Sequence, residues 1–448
     1  WTIAGDRTGL EVEETPDGLV LTASRLPAPD DRELAPSAAA LGPTLHLAWG
    51  GAAGWEGVGA WFLELSRSVP RASGEVRRQA RELVAGVEGA RERLAALLGF
   101  AQREVRYVAV EVGIGGYRPS PPAETLGRRW GDCKDKAFLL IDLLAEAGIP
   151  AYPALIGVGG PEPLVPELPS PLQFDHMIVA VPAEPLGLGA ADGVSEGYLF
   201  VDPTDPAGSV GWLPPVDRGR SALVVRPEGS ALVATPAPTA DQGLHLTLDL
   251  AVDERGDAGG AARLELRGSG GAAVAEWLAG LDPRRAEAEL QGFLARWLPG
   301  SAADGVTWTR TPDAPSPVTA IAAELRIPAF LQRLGDGGSI DLRGSTTLEA
   351  PKVFAERSTP WVLEPRLDRT SWRLDLSGTG CRVDEDGGTN EVDRFRQVVS
   401  QGDDGAALIE RETEIRRRWV EPTEGAQIRE LALTEHKTAK RRLRLSCP

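Results

Sequence analysis

The segment Arg128-Arg129-Trp130-Gly131-Asp132-Cys133-Lys134-Asp135-Lys136, with the run that follows it to Gly148, decides how this chain is read. Asp132 is a good N-cap, and Asp135 stands three residues on, where a capping box places an acid. Leu139, Leu140, Leu143 and Leu144 then form an apolar stripe, and Gly148 and Pro150 supply a stop signal. The pattern predicts a helix with Cys133 in its first turn. A thiolate there faces partnerless backbone N–H groups and the positive end of the helix dipole, which favour the nucleophilic form. Lys134 and Lys136 add positive charge that such a helix end does not favour. They are two of only five lysines among 48 cationic residues, the others being Lys352, Lys437 and Lys440. Two scarce residues beside a scarce cysteine suggest chemistry, since nothing in helix stability asks for them. The competing reading is a buried cysteine that packs as a small hydrophobe.

Downstream, 151–158, 174–181 and 198–202 have the β-branched and aromatic character of strands separated by Gly/Pro loops. Phe174-Asp175-His176-Met177-Ile178-Val179 places a histidine within one strand, and Tyr198-Leu199-Phe200-Val201-Asp202-Pro203-Thr204 ends the next in an aspartate. Thiolate attack on an amide carbonyl needs an imidazole to hold and return a proton, and an acid to fix the imidazole tautomer. Each residue also has a structural reading. His176 shares a strand parity with Ile178 and Ala180 and could be a hydrogen-bonded core histidine, and Asp-Pro commonly opens a turn.

Gly131-Asp132-Cys133-Lys134-Asp135, with Tyr117-Arg118-Pro119 upstream and Asp175-His176 and Val201-Asp202-Pro203-Thr204 downstream, resembles the bacterial transglutaminase-like proteins of the papain-like cysteine superfamily. The resemblance covers about residues 56–235. It implies Cys133 as nucleophile, His176 as general base and Asp202 as orienting acid. It also implies a protein or peptide substrate, no cofactor or metal, and a place outside the cytoplasm, in the periplasm or cell envelope. The fold class expected is α+β: a papain/transglutaminase-like core, with the cysteine helix packed on a small antiparallel sheet, flanked by β-rich domains. The backbone N–H of Cys133 would be one oxyanion donor. Tyr107, Tyr117 and Trp130 are candidate side-chain donors that packing explains equally well. Asp132 and Lys134 are further supporting candidates, with Asp132 better explained as a cap.

The expected boundaries are 1–55 for a strand-rich remnant of an N-terminal β-sandwich plus linker, 56–235 for the core and 236–448 for a β-rich region. The chain begins at Trp1, so part of the first domain is expected to lie on a missing segment or partner chain. Residues 73–98 carry helical spacing interrupted by Gly86 and Gly89, and 105–112 reads as a strand. Past 236, strand pairs surround turns, with helical patterns at 272–281 and 284–298, and the remainder looks mostly β.

A formal charge of -17 gives a phosphate-backbone partner nothing to gain. No apolar run reaches 18 residues, so no membrane span is predicted. Three cysteines and four unclustered histidines form no local metal motif. Gly113-Ile114-Gly115-Gly116 opens no helix, so it does not suit a dinucleotide loop, and Asp384-Glu385-Asp386-Gly387 lacks the twelfth-position glutamate of a calcium loop. Lys437 to Arg444 reads as a solvated terminal edge strand. Cys381 and Cys447 remain an even pair, compatible with a disulfide or with free thiols.

Overall fold

The computed structural model describes residues 2–4, 9–16, 18–24, 46–48, 54–71, 73–109, 113–159, 164–298, 300–311, 316–342, 360–384, 390–392, 395–402, 406–415, 419–439 and 442–448. It is a mixed α+β protein with several separate sheets, and it divides into two compact units, Trp1–Pro238 and Thr239–Pro448.

In the first unit, β1 (Thr2–Ala4) pairs with β4 (His46–Ala48), and β2 (Leu10–Thr15) with β3 (Gly18–Ala23). Helices α1 (Gly54–Arg67), α2 (Gly74–Leu83) and α3 (Ala90–Arg103) follow. The glycine-interrupted pattern at 73–98 is thus two helices, with Gly86 and Gly89 in the turn between them at positive φ. The expected strand at 105–112 is shorter than its composition suggests. Only β5 (Arg106–Tyr107) forms, paired in parallel with β6 (Trp130–Gly131), and residues 110–112 lie outside the described set.

Helix α4 (Pro122–Arg128) leads through β6 into α5 (Cys133–Glu146). Behind α5 stands a six-stranded antiparallel sheet built from β7 (Tyr152–Ile156), β8 (His176–Pro182), β9 (Val194–Ser195), β10 (Tyr198–Val201), β11 (Ser221–Val224) and β12 (Ala231–Ala234). Its order is β12-β11-β7-β8-β10-β9. Period-two alternation gives each face its own core. Met177, Val179, Val181, Leu199 and Val201 pack with Leu139, Leu140, Leu143 and Leu144 of α5. Ile178, Ala180 and Phe200 pack with Leu213, Ala222 and Val224 on the other face.

In the second unit an eight-stranded sheet runs Ala302–Thr311, Val318–Ile327, Ala258–Arg267, Gly243–Val252, Arg366–Asp375, Ala406–Ile415, Phe395–Gln401, Asn390–Val392. Gly243–Val252 and Arg366–Asp375 pair in parallel; the other neighbours are antiparallel. Leu244, Leu246, Leu248, Leu250 and Val252 alternate into a core shared with Leu278, Leu290 and Leu294 of α6 (Ser269–Ala279) and α7 (Pro283–Trp297).

Two expectations for the C-terminal region are corrected. A third helix, α8 (Gly425–Ala439), stands in a stretch read as mostly β, because Ile428, Leu431, Ala432 and Glu435 fall on one buried stripe. The basic segment is no edge strand: Lys437 lies in the last turn of α8, and Arg442–Ser446 is an inner strand of a four-stranded sheet, paired with Gly337–Asp341 on one side and Arg382–Val383 on the other. Cys381 and Cys447 form a disulfide beside it. The Asp384–Gly387 motif lies outside the described residues beyond Asp384. Among the described residues no helix is long and apolar enough to cross a membrane.

Candidate active site

Local chemistry fixes the start of α5. The Asp132 carboxylate accepts from the Asp135 N–H at 3.1 Å, and the Asp135 carboxylate accepts from the Asp132 N–H, which closes the capping box. This leaves the N–H of Cys133 uncommitted among the described residues. Gly131 has to be glycine here, because a Cβ at that position would sit 2.7 Å from the Cβ of Asp135. Arg128 stacks over the Trp130 ring and also reaches Asp135.

The two lysines are part of this framework, which corrects the expectation that helix stability had no use for them. Lys134 is buried and ion-pairs with Asp132. Lys136 is 0% exposed, and its Nζ donates to the Val105 carbonyl at 2.7 Å, so it ties α5 to the chain that leaves α3. Burial lowers its pKa to about 8, against the opposing pull of the Asp202 charge.

His176 is the first residue of β8, and Asp202 directly follows β10. Those strands are antiparallel neighbours, so the start of one and the end of the other share one edge of the sheet. There His176 Nε2 lies 3.2 Å from Asp202 Oδ2, which leaves Nδ1 as the other ring nitrogen, and the Cys133 thiol is near enough to act on the imidazole. A helix and two strands therefore bring Cys133, His176 and Asp202 together. Asp202 is further held by the N–H of Thr204 at 2.7 Å and its hydroxyl at 3.0 Å.

Burial opposes charge on His176, but its hydrogen bonds to Asp202 and Cys133, and the nearby negative charge of Asp202 and Asp217, outweigh burial and push its pKa up to about 11. Burial likewise opposes ionisation of Asp202, yet the His176 hydrogen bond and charge and the two Thr204 donors hold its carboxyl below the usual range. The arrangement suits an ion pair between imidazolium and carboxylate.

The other candidates belong to the segments that precede α5. Trp130 is half-buried on β6, and Tyr107 is largely exposed on β5 opposite Gly131. Tyr117 packs edge-on against Trp61, with ring centroids 5.4 Å apart.

Sequence reasoning missed three contributors. Gln102, buried at the end of α3, donates from Nε2 to the carbonyls of Asp202, Asp205 and Gly208 at 2.8 to 3.0 Å and holds the loop that presents the acid. Asp175 accepts from the N–H groups of Val158 and Gly159, both at 2.7 Å, and fixes the loop beside His176. Asp217 is 0% exposed, and one donor atom each from His176, Asp202 and Asp217 lie within 4.8 Å of one another, a spacing a cation could also bridge. Gln102 falls at helical spacing on the apolar stripe of Leu94 and Leu98, which is the signal the sequence carries for it, whereas Asp217 comes just after Pro214-Pro215 and reads as an exposed turn.

One solved structure shares the fold. It is a crystal structure of a "putative protease" from Parabacteroides distasonis, with a TM-score of 0.56 and 10% identity over 99% of this chain and 69% of that one. At that identity the likeness is one of fold alone. No protein-family model and no curated protein sequence matches the chain.

Proposed function

We propose that residues 56–235 form a papain/transglutaminase-like core, between an N-terminal β-strand region at 1–55 and a β-rich domain at 236–448, and that this core hydrolyses amide bonds of a protein or peptide through Cys133, His176 and Asp202. The observation that carries the reading is the convergence of the Cys133 thiol, at the start of a capped helix, on an imidazole that contacts a buried carboxylate. The protease-named neighbour in fold is consistent with it.

In this mechanism the Cys133 sulfur attacks the carbonyl carbon, and the carbonyl π pair moves to oxygen, stabilised by the free N–H of Cys133. Collapse breaks the C–N bond while the amine leaves with the proton held by His176, which gives a thioester. Water then gives a proton to His176 as its oxygen attacks the thioester; the acid departs and the thiolate–imidazolium pair is restored. Asp202 keeps the imidazole oriented throughout. The Cys381–Cys447 disulfide supports an oxidising compartment outside the cytoplasm.

The test is mass spectrometry of a peptide library treated with the protein, with and without a primary amine. New peptide termini or deamidated side chains, unchanged by amine, support hydrolysis. Amine adducts on glutamine replace it with transamidation. No product from wild type, or equal product from Cys133→Ala, overturns the assignment. Iodoacetamide should also alkylate Cys133 at neutral pH, more slowly once His176→Ala removes the base.

A further inference from the structure

Asp217 ends the short 3-10 turn Pro215–Asp217, fully enclosed. Its backbone is satisfied: the N–H donates to the Pro214 carbonyl at 3.0 Å, and its own carbonyl accepts from the Thr235 hydroxyl at 2.6 Å. Its side chain is another matter, because neither carboxyl oxygen receives a hydrogen from any donor among the described residues. Of the flanking cations, Arg218 donates from Nε to the Leu213 carbonyl with its guanidinium over the Trp212 ring, and Arg220 donates from Nε to the Val216 carbonyl. The titratable groups that act on Asp217 include Asp202, His176 and Asp205, and one atom each of Asp217, Asp202 and His176 lie within 4.8 Å of one another.

Two carboxylates that meet in a buried site are two acceptors, and nothing joins them unless one carries a hydrogen. Asp202 is not the one to carry it, since it already accepts from His176 and from both Thr204 donors. His176 and Lys136 are cations that act on Asp202, but Lys136 donates to the Val105 carbonyl and no donor among the described residues reaches either Asp217 oxygen, so a charge there would stay unpaired in a buried site where that is costly.

On these grounds, and resting on the catalytic reading above, we propose that Asp217 is a positioning residue that keeps its proton and donates it to Asp202, so that a carboxylic acid–carboxylate pair orients His176. Burial and the Asp202 charge favour this by raising the Asp217 carboxyl well above the usual range, with the His176 charge opposing. The shared hydrogen withdraws charge from Asp202 and limits how tightly it holds the imidazolium. His176 must surrender its proton to the leaving amine, so its partner serves best as a moderated base.

Infrared difference spectroscopy of the full chain at neutral pH, wild type minus Asp217→Asn, reads that proton without any assay of activity. A protonated-carboxyl stretch present in wild type and lost in the variant supports the proposal; no such band overturns it. Stoichiometric Zn²⁺ binding that the variant loses also overturns it, since a cation would then neutralise the pair. In turnover, Asp217→Asn, which still presents a neutral donor, should keep kcat within about threefold and leave the pH profile in place, whereas Asp217→Leu should lower kcat by about 10- to 100-fold with little change in KM. Equal losses in the two variants, or a loss confined to KM, refute the positioning role. Should neither variant fold, selective 13C NMR of wild-type aspartate side chains reads the same proton. A carboxylic acid band in a protein without amide hydrolysis would uphold the shared proton between Asp217 and Asp202 and fail the catalytic reading.

Discussion

The two units bury different things. The second is held by a leucine-rich sheet and its helices, and among its described residues the buried ionisable side chains are Asp368 and Glu435, each with a donor. The first buries Asp132, Lys134, Asp135, Lys136, Asp142, Asp202, Asp217, Arg218 and Arg220, and four of these form the start of one helix. Apolar burial stabilises by itself, whereas a buried charge is costly unless fully paired, and even a good pair is weak evidence for stability. The second unit thus rests on apolar cohesion, whereas the first spends stability on buried polar groups, several of them beside Cys133, as the proposed chemistry would require.

The hardest test of that contrast is Asp202→Asn. If the charge serves chemistry, kcat should fall by about 10⁴-fold while the fold persists, as circular dichroism and turnover on one preparation would establish. In the cohesive unit, Leu250→Ala should cost about 2–5 kcal/mol at any pH, read by denaturant unfolding with hydrogen exchange on peptides from 239–448. Gly131→Ala comes next, at about 1–3 kcal/mol, since its Cβ must displace Asp135 and Thr125 at the helix start. Hydrogen exchange should localise that loss to the first turn of α5.

The gentlest probe is pH. The folded pKa of His176 is raised from 6.5 to about 11, so its contribution is whole below pH 6.5 and is lost as pH rises through about 11. Lys136 has the opposite sense: with its folded pKa depressed from 10.5 to about 8, its unfavourable contribution is full below pH 8 and relieved as pH rises to 10.5. The stability of wild type minus Lys136→Met should therefore rise over that window, by at most about 1.4 kcal/mol per pH unit. A flat difference would show that Lys136 is not effectively buried.

The residues that were legible in the sequence work through neighbours in sequence. Asp132, Asp135, Gly148 and the leucine stripe specify α5 within one segment, and alternation around His176 and Tyr198 marks their strands. What escaped depends on contacts made only after folding. Lys134 and Lys136 stand out in the sequence by their scarcity alone, and their structural roles arise only once α5 is buried, while Asp217 becomes exceptional only when the chain returns it to Asp202. Helix α8 was hidden differently: its apolar positions are helically spaced, but the surrounding strand texture outweighed four residues on one stripe.

The inner position of Arg442–Ser446 bears on how this protein is made. Until a ribosome has released those residues, Gly337–Asp341 and Arg382–Val383 each present an unpaired backbone edge, open to pairing with another chain. The first unit has all its strands some 200 residues earlier in synthesis. A nascent or clipped chain lacking the last described strand should therefore self-associate through the second unit while the first is already folded.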